Sequence, residues 1–153
     1  MPELTQPSEV ERVLREARVV AVLGAHCEAH RPACYVPAYL HEQGYRIVPV
    51  NPRVVGQTLW GEPVRASLVE IQEPVDIVDV FRRSEAVADH VEEILAMQPQ
   101  PRVVWLQQGI RNDAAARQLI EAGIDVVQDR CTLADHRAMG IGPVGPQRSS
   151  TGT

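Results

Sequence analysis

An α/β fold of three layers, doubly wound around a five-stranded parallel core, is what this chain predicts. Five short runs rich in valine, isoleucine and leucine recur along the 153 residues, and segments with helical period separate them. The first of these runs, residues 18–23, is apolar without polar alternation, the mark of a strand covered on both faces by helices. A β-α succession without an internal repeat argues for right-handed crossovers in one sheet.

The chain opens on a helix, because Ser8 and Glu11 have capping-box spacing and Val10, Val13, Leu14 and Ala17 share one face. Residues 18–23 are the first strand. Residues 24–31 form a loop, Pro32 suits a first helical turn, and the helix runs to residue 43 with Gly44 as its glycine cap. Pro37 is expected to kink that helix or delay its regular start. Residues 45–50 are the second strand, where Pro49 is hard to place in a central ladder.

A looser stretch follows, with Gly56, Trp60-Gly61-Glu62-Pro63 and a turn over 67–71. Residues 75–80 are the third strand, and Ser84 is expected to cap a helix reaching Met97. Residues 102–106 are the fourth strand; Asn112 caps a helix to Ala122, which Gly123 closes. Residues 124–127 are the fifth strand, and a short helix spans 132–139. From Gly140 the chain is rich in Gly, Pro, Ser and Thr, so a domain over 1–140 and a mobile tail over 141–153 are expected.

Composition narrows the function. The length suits one domain with a sizeable core, and 44% hydrophobic residues is ordinary for a soluble chain. A net charge of −5 argues against a general polyanion-binding surface, so no nucleic-acid partner is expected. All 15 basic residues are arginine, which excludes a Schiff-base lysine and a Walker-type phosphate lysine. The apolar runs are too short to span a bilayer and Met1-Pro2-Glu3 opens onto polar sequence, so a cytoplasmic protein without a membrane partner is expected. Cys27, Cys34 and Cys131 lack CxxC spacing and suit a reducing compartment.

In doubly wound sheets ligands sit outside the carboxyl ends of the strands, so the loops after each strand carry the chemistry. After strand one only Gly24 of a G-x-G-x-x-G fingerprint is present, which weakens an NAD or FAD reading. Arg31 stands just before a helix, where its guanidinium and the helix N–H groups can meet a diphosphate; a solvated arginine at a helix start explains it too. His26, Cys27 and His30 suggest a metal site, but a fourth ligand is not evident, and none is expected. Cys27 and Cys34 also lie near a helix N-terminus, a position that lowers thiol pKa.

After strand two, Asn51-Pro52-Arg53 stands where such folds choose between a bare and a phosphorylated ribose, and an arginine suits the phosphate. After strand three, Phe81 beside Arg82 and Arg83 can cover an adenine face with a cation near phosphate, while core packing of Phe81 is the plainer alternative. After strand four, Gln107-Gln108-Gly109 offers neutral donors and acceptors with close backbone approach, as a simple glycine turn also would. Cys131 follows strand five. Asp76 and Asp79 point to opposite faces, so they form no acid/base pair, and Asp79 is expected to accept hydrogen bonds at a strand end.

These strand ends together resemble the single-domain CoA-binding family of bacteria and archaea, and are similar to the CoA-binding domain of the succinyl-CoA synthetase α subunit. The matching pieces are Arg31-Pro32, residues 44–52, residues 75–82, residues 104–107 with Gly109, and Asp129-Arg130-Cys131, in order over residues 10–138. The resemblance implies a Rossmann-like fold with coenzyme A as ligand. It implies Gly24, Ala25 and His26 against the diphosphate, with Arg31 and Pro32 at the helix entrance. Asn51, Pro52 and Arg53 would hold the adenosine end, Arg53 at the 3′-phosphate. Val80, Phe81 and Arg82 would flank adenine and ribose, and Gln108 with Gly109 would approach the pantetheine arm. His26 departs from the small hydroxyl residue common there, and Ala33-Cys34 replaces a serine.

The expected function is therefore non-catalytic binding of coenzyme A or an acyl-CoA, as a sensor or carrier. No G-x-S-x-G elbow or Ser-His-Asp set argues for an enzyme. An NADP-dependent oxidoreductase is the enzymatic alternative, and a redox switch forming a mixed disulfide with CoA is the third. Oligomeric state is left open, a homodimer included.

Overall fold

The computed structural model describes residues 3–145. In chain order the helices and strands are α1 (Pro7–Glu16), β1 (Val19–Leu23), α2 (Pro32–Glu42), β2 (Arg46–Val50), β3 (Thr58–Leu59), β4 (Glu62–Pro63), β5 (Ile77–Val80), α3 (Val91–Leu95), β6 (Val103–Leu106), α4 (Asp113–Glu121), β7 (Asp125–Val127) and α5 (Thr132–Ala138). Short 3-10 turns cover Pro52–Val54, Leu68–Glu70 and Ser84–His90.

Five strands pair in the order β2-β1-β5-β6-β7, every pair parallel. This is the Rossmann-like α/β fold expected. The chain leaves β1 toward β2 on one side and returns to β5 on the other, so the order reverses between β1 and β5. Loops diverge there and open a crevice at the carboxyl ends of the strands.

Side-chain alternation divides the core into two layers. Ala21, Val48, Val78, Val80, Val104 and Val126 pack under α3 and α4 through Val91, Ile94, Ala115 and Leu119. Val20, Val22, Ile47, Ile77, Trp105 and Val127 face the other way, against Val10, Leu14, Leu40 and Tyr45. Each fully buried Leu or Ile contributes about 1.5–3 kcal/mol, so the two layers together oppose the chain entropy lost. The sealed Trp105 satisfies its indole N–H on Arg130 O at 2.8 Å.

The two awkward prolines have local explanations. Pro37 lies inside α2, with no N–H to give to Ala33 O one turn earlier, and the His26 N–H donates to that carbonyl instead at 3.3 Å. Pro49 is tolerated because β2 is an edge strand of the five. Its missing N–H faces outward, where Pro49 O accepts from Arg65 N and Asn51 N donates to Arg65 O, at 3.0 and 2.9 Å.

Three local expectations need correction. α1 starts at Pro7, and the reciprocal contact is between Glu9 and the Gln6 N–H at 3.2 Å, so the capping residue is not Ser8. Ser84 caps no helix: Arg83 holds that position, a 3-10 turn precedes α3, and Ser84 Oγ accepts from the Arg111 N–H at 3.0 Å. The looser stretch contains a hairpin, β3–β4, turning at Trp60 and Gly61 with φ of 52° and 79°. Asn112 caps α4 as expected, its Oδ1 accepting from Ala115 N at 3.0 Å. Of the tail expected after Gly140, residues 146–153 lie outside the described residues, while Val144 N donates to Gln43 O at 2.7 Å.

Candidate functional site

The reversal between β1 and β5 opens into a cleft of about 930 Å³. Gly24, His26, Arg31, Pro32, Asn51, Arg53, Phe81, Arg82, Gln108 and Gly109 all line it. Three expected residues do not: Ala25 and Val80 are buried beneath, and Pro52 faces solvent. A second hollow of about 570 Å³ opens at the amino ends of the strands, where Arg12 and Arg102 mix with Glu9, Glu16, Asp76 and Asp125. Parallel sheets gather ligands at the other end.

Gly24 is required where β1 meets the cleft. Its φ is +90°, and a Cβ there would lie 2.8 Å from Phe81 O. The absence of a side chain lets the ends of β1 and β5 close on one another, with the Phe81 N–H bound to Leu23 O at 2.9 Å. Phe81 is half-buried, one edge against the α1–α2 core layer and one in the cleft. The two readings of Phe81, core packing and ligand wall, are thus compatible.

Asn51 ties two loops together. Its Nδ2 donates to Ala25 O at 2.8 Å and its Oδ1 accepts from the Arg53 N–H at 2.9 Å. The amide that the sequence offered as a ligand contact is thereby engaged in shaping the cleft. Arg53 projects from the turn after it, exposed.

The cleft is electropositive within an acidic chain. Arg31, Arg53, Arg82 and Arg83 line it, and Glu85 is the one acid among its lining residues. Arg31 pairs with Glu28 at 2.6 Å and Arg83 with Glu85 at 3.5 Å, whereas Arg53 and Arg82 make no ion pair among the described residues. The hydrogen bond from Arg31 holds the Glu28 carboxyl below its usual range. Two unpaired guanidiniums at a switch-point crevice suit an anionic ligand.

The lining after β6, Gln107-Gln108-Gly109, is uncharged and interlocks with the segment after β7. Gly109 N donates to Asp129 Oδ1 at 2.6 Å, and Asp129 N donates to Ile110 O at 3.1 Å. Asp129 has φ of 57°, a left-handed conformation that aspartate tolerates better than larger side chains. Arg130 binds Asp135 through two nitrogens, at 2.6 and 3.0 Å, which fixes the start of α5. Asp79 is an acceptor as expected, and desolvation raises its carboxyl to about 7 against the hydrogen bonds from Gln107 and Thr132.

Sequence reasoning missed Tyr35, Val36, Glu85 and Ile110 as lining residues, since each stands several positions beyond a strand end. Cys131 lines the cleft and Cys34 is half-buried, but burial pushes the Cys34 thiol up, opposite to the effect expected from the helix start. Among the described residues no cluster of three or more His, Cys, Asp or Glu is placed to hold a metal, and no helix is long and apolar enough to cross a membrane.

The chain's likeness to known proteins covers most of its length. The family model described as CoA binding domain matches residues 18–137. The uncharacterized protein YneT of Bacillus subtilis strain 168 is 36% identical over 129 residues, covering 84% of this chain and 93% of that protein. The solved structure of cell-free ID.343 from Thermus thermophilus is 50% identical with a TM-score of 0.83, over 88% of this chain and 99% of that one. A hypothetical protein from Pyrococcus horikoshii OT3 superposes with a TM-score of 0.80 at 28% identity, over 88% of this chain and 92% of that one.

Proposed function

We propose that this chain, which belongs to the CoA binding domain family, binds coenzyme A or an acyl-CoA in the cleft at the carboxyl ends of β1, β5 and β6, without transforming it. The observation that carries this reading is the division of one cleft into a four-arginine rim and a neutral Gln107-Gln108-Gly109 wall. Coenzyme A has the same division, with phosphates at the nucleotide end and a neutral amide arm. Arg53 meets the 3′-phosphate, Arg31 and Arg82 the diphosphate, Phe81 the adenine, and Gln108 with Gly109 the arm. A domain over residues 1–140 in the cytoplasm, acting as sensor or carrier, accords with this role.

Calorimetric titration with coenzyme A, 3′-dephospho-CoA and NADP tests the reading. Coenzyme A is expected to bind, and loss of the 3′-phosphate to weaken binding about tenfold through one charge-assisted contact. Equal affinity for the first two ligands removes the role of Arg53; tighter binding of NADP, with hydride transfer, replaces this reading with an oxidoreductase.

Cys131 at the cleft favours a second reading, a redox cap. The Cys131 thiolate attacks the disulfide of oxidised CoA, forms a protein–CoA mixed disulfide and releases one CoA thiolate. Intact mass before and after a thiol reductant decides it: an adduct unaffected by Cys131→Ser excludes this cysteine.

A further inference from the structure

Beneath the neutral wall lies a sealed carboxyl group. Asp79 is fully buried in β5, flanked in the sheet by Val22 and Trp105. Gln107 Nε2 donates to its Oδ1 at 2.7 Å, and Thr132 Oγ1 donates to its Oδ2 at 3.2 Å. Gln107 Nε2 also donates to Thr132 Oγ1 at 2.9 Å, so both hydrogens of the amide point into the protein.

The other end of that amide is open. Asp125 Oδ1 is the one sealed side-chain polar atom without a partner among the described residues, so Gln107 Oε1, which has no protein partner either, is not sealed. Gln107 lines the cleft and keeps 4% exposure. Its carbonyl therefore faces the cleft. Above about pH 7, where the Asp79 carboxyl is ionised, it only accepts hydrogen bonds, and turning the amide over would set oxygen against oxygen.

We propose that Asp79, with Thr132, is a positioning residue that holds the Gln107 carbonyl toward the cleft, so that the site takes a ligand arm presenting an amide N–H there. This rests on the coenzyme A reading, in which the pantetheine arm supplies such N–H groups. Its recognition is then directional: a carbonyl fixed from below discriminates an N–H donor from an acceptor or an alkyl chain. Desolvation raises the Asp79 carboxyl to about 7 against these two donors, so the arrangement is set above that pH, where the carboxyl is ionised.

Titration of coenzyme A and of adenosine 3′,5′-bisphosphate, which lacks the arm, into the wild type, Asp79→Asn, Gln107→Leu and the double variant tests this. An amide at position 79 offers a donor as well as an acceptor and tolerates either orientation of Gln107. Gln107→Leu is expected to weaken coenzyme A about three- to tenfold, Asp79→Asn, which leaves the amide divided between two orientations, about twofold, and both to leave the bisphosphate unchanged. Asp79→Asn is expected to add nothing in the Gln107→Leu background. Equal weakening of both ligands, no weakening, or an Asp79→Asn effect that survives without Gln107 overturns the proposal. A wild type that binds neither ligand overturns the coenzyme A reading itself. Should Asp79→Asn not fold, Thr132→Val, which removes one of the two anchors, carries the same comparison.

Discussion

The arginine rim after β1, β2 and β5 and the wall after β6 and β7 hold their polar groups in different ways. On the rim, Arg31 and Arg83 keep more than half of their side chains exposed, at 54% and 83%, and each leans on one acid of its own loop. On the wall, Gln107, Thr132 and Asp79 are buried and bound to one another, and Asp129 bridges to Gly109. Attraction between charges falls slowly with distance and tolerates mobile guanidiniums, whereas a neutral hydrogen bond is lost within a fraction of an ångström or a few tens of degrees. One cleft thus combines a forgiving electrostatic end with a geometric end.

The largest break in this comparison is expected at the hinge between the two. Gly24→Ala puts a Cβ at 2.8 Å from Phe81 O in a left-handed conformation, and is expected to cost about 3 kcal/mol in urea denaturation and to abolish coenzyme A binding. Both ends of the site then fail together. The Asp79 carboxyl comes next. Its folded-state value of about 7 lies above the unfolded one, so the native state binds the extra proton. Its contribution to stability is full below the ordinary carboxylate range and is lost as pH rises toward neutrality. Asp79→Asn should remove that decline, a difference on the order of 4 kcal/mol between the two proteins' changes from acid to mildly alkaline pH, read by denaturation at both.

Smaller effects separate the rim from the wall. Arg53→Ala is expected to lower coenzyme A affinity about tenfold and to erase the preference over 3′-dephospho-CoA, and its effect should shrink in high salt. The Gln107→Leu effect should be independent of salt, and titration of both variants at two ionic strengths checks the contrast. Smallest of all, Glu28→Gln releases Arg31 from its pair and is expected to raise coenzyme A affinity about twofold with no change in thermal midpoint.

The sheet was legible because each strand is a short run dominated by valine, isoleucine and leucine, as burial on both faces requires. The strand-end rule then placed the cleft, since it depends on topology and not on side-chain detail. What escaped the sequence was settled by tertiary contact. Ser84 looks like a cap but serves the Arg111 N–H across two loops. Trp60 gives no hairpin signal, because a bulky residue is unusual at positive φ. The Pro7 at the first turn of α1 was a readable signal that favoured Gln6 over Ser8 as the boundary. Asn51 was placed correctly on the cleft, yet its tie to Ala25 O depends on how close two loops come, which spacing cannot give. Thr132 could not be matched to Asp79 from a separation of 53 residues.

Pro37 has a consequence for how the first loop moves. By leaving Ala33 O without its helical donor, it lends that carbonyl to the His26 N–H. The backbone at His26 is then fastened to a helix that buries Val36, Pro37 and Leu40. In deuterated solvent the His26 amide is expected to keep its hydrogen on the clock of α2, while exposed neighbours such as Ala29 and His30 give theirs up at once. Pro37→Ala would restore the ordinary helical donor to Ala33 O and set the loop running on a faster clock of its own.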